Sequence, residues 1–259
     1  MPEFISRGVT LYYEEAGKGE PLLFLHGLTA SHNMFKQEVE YFKGNFRVIT
    51  LDSRGHGLSD KPLNYTIGEH IEDVIALMDY LKIERVHLLG MSMGSYIAQG
   101  VAIEQPNRVE KLILVSSKSN GKTSSMQELF ARHADELEGL DYQEKIDQSS
   151  KYIFHNLSEV GKWMNEIGPD EIVLTPEQQA AANKALEGFD FRLALPTVTA
   201  KTLVISGTYD GLNPPEQGAE IAGLIPNASF IEFENSGHSP DVEETERFLD
   251  VVMDFLEKK

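Results

Sequence analysis

The feature that most restricts the fold is a series of short, nearly uninterrupted apolar runs separated by helical stretches. Residues 21–25, 46–51, 86–89 and 112–115 form the first group, and 202–205 and 229–231 resume the series after a wide gap. A strand apolar at almost every position is covered on both faces, as central strands of a parallel sheet are. Parallel neighbours need crossover connections, and here the intervening segments carry helical periodicity. Residues 67–81 are the clearest case. Thr66 is placed to cap them with Glu69 as the reciprocal partner, and Ile71, Val74, Ile75, Met78 and Leu81 form one apolar stripe. The pattern predicts an α/β fold with a mostly parallel central sheet and helices on both faces. Residues 9–14 alternate as a half-buried edge strand would.

Strand signals vanish between residues 117 and 195. Acidic residues crowd there at Asp135, Glu136, Glu138, Asp141, Glu144 and Asp147, the pattern of a solvated helical face. Thr175-Pro176 starts a helix, because threonine caps and proline tolerates the first helical position; Gly188 is its expected stop. A chain of 259 residues has room for one large domain with an appended lobe. The expected division is a core of residues 1–117 and 196–259, interrupted by a helical cap of residues 118–195 that folds against it.

The sharpest local signal is Gly90-Met91-Ser92-Met93-Gly94, directly after one strand run and before a helical run. In that context the serine occupies a tight, strained turn at the carboxyl end of the sheet, and the glycines let strand and helix approach. A serine hydroxyl is a weak nucleophile and needs a base, itself oriented by a third group. His238, in a loop after the last strand, is the candidate base; Asp210, just beyond the strand of residues 202–205, is the candidate orienting acid. Attack on a carbonyl builds a negative oxygen, for which the backbone amides of Met93 and Leu28 are the expected donors. His26 is read as a brace for the loop that carries Leu28.

These residues resemble the α/β-hydrolase family from end to end. The resemblance rests on Leu25-His26-Gly27, residues 52–59, the elbow at Gly90 to Gly94, Pro214-Pro215 after Asp210, and Gly237-His238. Within the family the chain is most similar to small serine carboxylesterases, 3-oxoadipate enol-lactonases and non-haem bromoperoxidase-like esterases; Gly188-Phe189-Asp190-Phe191-Arg192 looks like the enol-lactonase branch. The resemblance implies the α/β-hydrolase fold and cofactor-free chemistry. Ser95 departs from it, standing where many relatives have a further glycine.

Other features narrow the function. The absence of cysteine excludes a thiol nucleophile and a disulfide framework. With 23 basic against 41 acidic residues, the net charge of −18 repels phosphate backbones and anionic lipid over a Debye length of about 10 Å, so neither nucleic acid nor a membrane is the expected partner. No apolar run is long enough to span a bilayer and the first residues lack an export pattern, which predicts a cytoplasmic protein. No histidine–carboxylate spacing suggests a metal. Arg54 and His56 are read as parts of a structural loop, with Asp52 holding Arg54. Trp163 is the leading substrate-facing residue of the cap. The expectation is a serine hydrolase acting on a small carboxylic ester or lactone through an acyl-enzyme, with Arg192 available to offset a substrate's negative charge. The alternatives are a triad-bearing ligand-binding or signalling protein with little turnover, and a carbon–carbon bond hydrolase.

Overall fold

The computed structural model describes residues 2–167 and 173–258. Its strands are β1 (Glu3–Ser6), β2 (Val9–Gly17), β3 (Glu20–Leu25), β4 (Phe46–Leu51), β5 (Val86–Met91), β6 (Val109–Val115), β7 (Lys201–Gly207) and β8 (Ala228–Phe233). They form one sheet in the order β1-β2-β4-β3-β5-β6-β7-β8. β1 pairs antiparallel with β2 and β2 with β4, and every other pairing is parallel.

Because side chains alternate across a strand, each central strand feeds two cores. Leu23, Leu25, Leu88, Leu112 and Leu114 join one face, while Leu22, Phe24, Leu89, Ile113 and Val115 join the other. The first face is covered by α2 (Ile67–Tyr80), α3 (Met93–Glu104) and α8 (Pro215–Leu224), and the second by α1 (Lys36–Phe42) and α10 (Thr245–Glu257). The α/β architecture expected of the sheet, mostly parallel with helices on both faces, is therefore present. The Thr66–Glu69 capping box opens α2, as its spacing predicts.

One strand assignment needs correction. Residues 9–14 are not an edge: β2 lies between β1 and β4. Alternation reports which face of a strand is covered, whereas an edge is defined by missing lateral partners. The strand that takes the edge, β1, alternates in burial, but it buries Ser6 and exposes Ile5, so its residue types carry no such pattern.

Between β6 and β7, the described residues form α4 (Ser125–Arg132), α5 (Tyr142–Ile153), α6 (Leu157–Ile167) and α7 (Pro176–Ala185). The expected cap, 118–195, spans these helices; residues 168–172 of it lie outside the described residues. The two ends of the segment are stitched together where Asn120 bridges Asp190, with Gly121 N–H donating to Phe189 O at 2.8 Å and Phe191 N–H to Ser119 O at 2.9 Å. Thr175 and Gln178 form the capping box of α7, whose Ala181, Ala182 and Ala185 pack with Tyr65 and Leu28. The acidic residues at 135–147 are exposed.

Candidate active site

Strand β5 hands directly to α3 at Ser92, which takes φ 51° and ψ −117°. A side chain at positive φ is strained, so the surroundings must hold it there. Four bonds do so: Ser92 N–H donates to Val115 O at 2.9 Å, and Ser92 O accepts from Ser95 N–H at 2.8 Å, Ser95 Oγ at 2.6 Å and Tyr96 N–H at 3.3 Å. A Cβ on Gly94 would collide with the Leu25 carbonyl, and one on Gly90 with Gly94. Both glycines thus serve close backbone approach, and the half-buried Ser92 is left at the carboxyl end of the sheet.

The structure brings the predicted partners to it. His238 Nε2 lies 3.0 Å from Ser92 Oγ, and Nδ1 lies 2.9 Å from Asp210 Oδ2 and 3.0 Å from Oδ1. The Asp210 side chain is fully buried and also accepts the Leu212 and Asn213 amides at 2.9 Å each. A carboxylate so fixed makes Nδ1 of His238 the protonated nitrogen, leaving Nε2 to accept from the serine. Burial pulls the His238 pKa down, but Asp210, helped by Asp241 and Glu243, outweighs it and carries the value above the usual 6.5.

Neighbouring residues complete the frame. Ser116, itself at φ 49°, donates its hydroxyl to His238 O at 2.7 Å. Asn213 Nδ2 donates to Ser116 O at 2.6 Å and to Tyr96 Oη at 2.7 Å. Burial pushes the Tyr96 phenol up to about 12, so it stays neutral. Ser95, the residue that departs from the family pattern, ties the serine turn to Ser117 Oγ at 2.7 Å. Sequence reasoning missed Ser116, Asn213 and the role of Ser95, because a hydroxyl or amide beside a strand end carries no pattern until the fold closes around it.

The loop after β3 runs close beside the serine: a Cβ on Gly27 would sit 3.6 Å from Ser92 Cβ. His26 accepts the Ser53 amide on Nε2 at 3.0 Å, which leaves Nδ1 protonated to donate to Gly27 O at 2.7 Å, the bracing arrangement expected of it. Among the described residues no backbone carbonyl accepts the Leu28 amide. Met93 opens α3, where a first-turn amide lacks an intrahelical acceptor. Trp163 is half-buried on α6 and packs against the core on the α1 and α10 side, with Ala30 and Val39.

One charge assignment is corrected. Arg54 is held by Asp73, through bonds of 2.6 and 2.7 Å, and by Glu69 at 2.7 Å, both on α2. Asp52 instead accepts from His32 and from the Leu58 amide. Sequence proximity suggested Asp52, but the Asp52 side chain closes its own loop while the longer Arg54 reaches the helix. Arg192 is engaged by Asp190 at 2.6 and 2.8 Å, and the same carboxylate also pairs with Lys122 at 3.2 Å.

The order Ser92, Asp210, His238 on a mostly parallel sheet, each residue following a strand, matches one known family. The profile described as alpha/beta hydrolase fold matches residues 20–245. The chain belongs to the α/β-hydrolase family. It is similar to the AB hydrolase superfamily protein YisY of Bacillus subtilis, 29% identical with 95% of each chain covered. A 2-hydroxy-6-oxo-6-phenylhexa-2,4-dienoate hydrolase of Comamonas testosteroni is 29% identical, covering 96% of this chain and 92% of that one. Among solved structures, the enol-lactonase from Burkholderia xenovorans superposes with a TM-score of 0.84 at 28% identity, covering 99% of this chain and 100% of the other. Among the described residues no helix is long and apolar enough to cross a membrane.

Proposed function

We propose that this α/β hydrolase cleaves a small carboxylic ester or lactone through an acyl-enzyme formed on Ser92. The observation that carries the reading is the continuous hydrogen-bonded line from Ser92 Oγ through His238 to Asp210. His238 Nε2 takes the serine proton as Oγ attacks the carbonyl carbon, and Asp210 stabilises the imidazolium that results. The Leu28 and Met93 amides hold the oxyanion; such donors are worth on the order of a hundred- to thousand-fold in rate each. His238 then gives its proton to the departing alkoxide, which leaves as the alcohol, and activates water to free the acid and restore Ser92. A lactone follows the same route, its alcohol remaining tethered to the acyl group.

The 118–195 segment acts as a cap in this reading, since α7 packs on Leu28 and α6 lies against the core through Trp163, with Lys36 of α1 donating to Ile167 O at its end. The enol-lactonase likeness favours a lactone among the esters. The protein's net charge of −18 disfavours a strongly anionic substrate. A second reading, a carbon–carbon bond hydrolase, is supported by the relative from Comamonas testosteroni.

The test is steady-state hydrolysis across p-nitrophenyl esters of graded acyl length, a panel of lactones and a vinylogous diketone, by the wild type and Ser92→Ala. Turnover of esters or lactones that disappears in Ser92→Ala supports the proposal. Activity on the diketone alone moves the assignment to the second reading, and wild-type turnover by Ser92→Ala overturns the nucleophile.

A further inference from the structure

Gly211 and Gly237 flank the Asp210–His238 pair, and neither has the positive φ that would demand glycine. What excludes a side chain at both positions is the junction between α5 and α6. A Cβ on Gly211 would strike the Tyr152 carbonyl, and one on Gly237 would strike Ile153 O and lie 2.8 Å from Phe154 Cα and 2.9 Å from His155 N. The close approach is used for bonding. Gly211 N–H donates to Tyr152 O at 3.0 Å and His238 N–H to Ile153 O at 2.8 Å, filling carbonyls that the end of α5 leaves without helical partners.

Glu243 supplies the opposite polarity. Its buried carboxylate accepts the Gly237 and Ser239 amides on Oε1 at 2.9 and 3.3 Å, and the His155 and Asn156 amides on Oε2 at 2.8 and 2.7 Å. One oxygen thus holds the residues on either side of His238, and the other holds the backbone that leads into α6. Charge-assisted bonds of this kind are about twice as strong as neutral ones, and the start of a helix favours a negative partner. The His155 ring lies flat on Tyr209, centroids 4.0 Å apart, next to Asp210.

We propose that Glu243 is a positioning residue that clamps the His238 loop to the α5–α6 junction, so that His238 is seated for proton transfer only while the inserted segment is docked. The inference rests on His238 being the base of the proposed hydrolase. It gives the insertion a role beyond covering substrate, because its main chain is part of the mount for both Asp210 and His238.

Amide hydrogen exchange on the wild-type protein is the first arm of the test: His155, Asn156, Gly237 and Ser239 should be protected to a similar degree and open together. The second arm is Glu243→Gln, which sets an amide NH2 against two N–H donors. Exchange should quicken on both sides of the clamp. With p-nitrophenyl butyrate and active sites titrated by a fluorophosphonate, kcat should fall by ~10–100-fold, as displaced catalytic groups do, while KM stays unchanged. Glu243→Asp, retaining the charge, should recover part of that kcat. Independent opening of the two sides in the wild type, or a folded Glu243→Gln with wild-type kcat, overturns the clamp. Wild-type turnover by Ser92→Ala would instead overturn the underlying reading and leave the exchange result standing.

Discussion

Two histidine–carboxylate pairs stand at the carboxyl end of the sheet with nearly the same geometry. His32 Nδ1 lies 2.9 and 3.0 Å from the Asp52 oxygens, and His238 Nδ1 lies 3.0 and 2.9 Å from those of Asp210. Both carboxylates also accept backbone amides of their own loops, Leu58 in one case and Leu212 and Asn213 in the other. The difference is at the far nitrogen: His32 Nε2 is 3.6 Å from Glu14 Oε1, whereas His238 Nε2 is 3.0 Å from Ser92 Oγ. A carboxylate oxygen there offers lone pairs to the ring, while an alcohol brings a proton to give and an oxygen to attack with. The pairing alone therefore organises a loop, and it becomes chemistry where a strained turn delivers a hydroxyl to it.

The largest effects should fall on one pair only. Ser92→Ala should lower kcat on p-nitrophenyl esters by about 10⁴–10⁶-fold, the range for removal of a triad nucleophile. Asp210→Asn should cost about 10⁴-fold, because the amide no longer holds the imidazole in its productive tautomer. Asp52→Asn should leave kcat of the folded protein at the wild-type level. A large kcat loss in Asp52→Asn would erase the distinction between the pairs.

Stability should respond in the reverse sense around the Asp52 loop. Asp73→Ala leaves the buried Arg54 guanidinium with Glu69 as its remaining carboxylate and should cost about 3 kcal/mol in urea unfolding, with kcat unaffected. Asp52→Asn should cost about 1–3 kcal/mol, through donors left without a full acceptor. Burial works against the Asp52 charge, but His32, His26 and the Leu58 amide outweigh it and hold the carboxyl below its usual 3.8. A depressed native pKa contributes stability above the unfolded value and loses it as pH falls through the native one. The gap between wild type and Asp52→Asn should therefore be full near neutrality and shrink below about pH 4, which unfolding midpoints at stepped pH would record.

The smallest effect is a displacement along the pH axis. His238 must be neutral to accept the serine proton, and its pKa stands above the usual 6.5. The acid limb of kcat/KM should accordingly lie above pH 6.5, with activity lost as pH drops through it. A limb well below that value would mean that Asp210 does not stabilise the imidazolium.

The core of the fold was legible because its strands are short apolar runs, a pattern produced by two-sided burial alone. Ser92, Asp210 and His238 come together as their positions after strands imply, and His26 braces its loop. What the sequence hid were partnerships made by long side chains or by main chain across the fold. Arg54 passes over its neighbour Asp52 to reach α2, and Glu243 binds four amides from two distant segments. Neither leaves a periodic or local signature, since backbone donors are present at nearly every position. The edge strand β1 was hidden for a plainer reason: apolar Ile5 faces solvent while polar Ser6 is buried, so its four residues show no alternation of apolar with polar.

Catalysis on this sheet requires the Ser92 hydroxyl to be activated where it meets His238, and mapping the adduct of a fluorophosphonate probe by mass spectrometry tests that most directly. One phosphonyl group per chain should appear, on the peptide bearing Ser92, and it should vanish in Ser92→Ala and slow sharply in His238→Ala. Modification at another residue, or none at Ser92 in folded wild-type protein, would contradict the account.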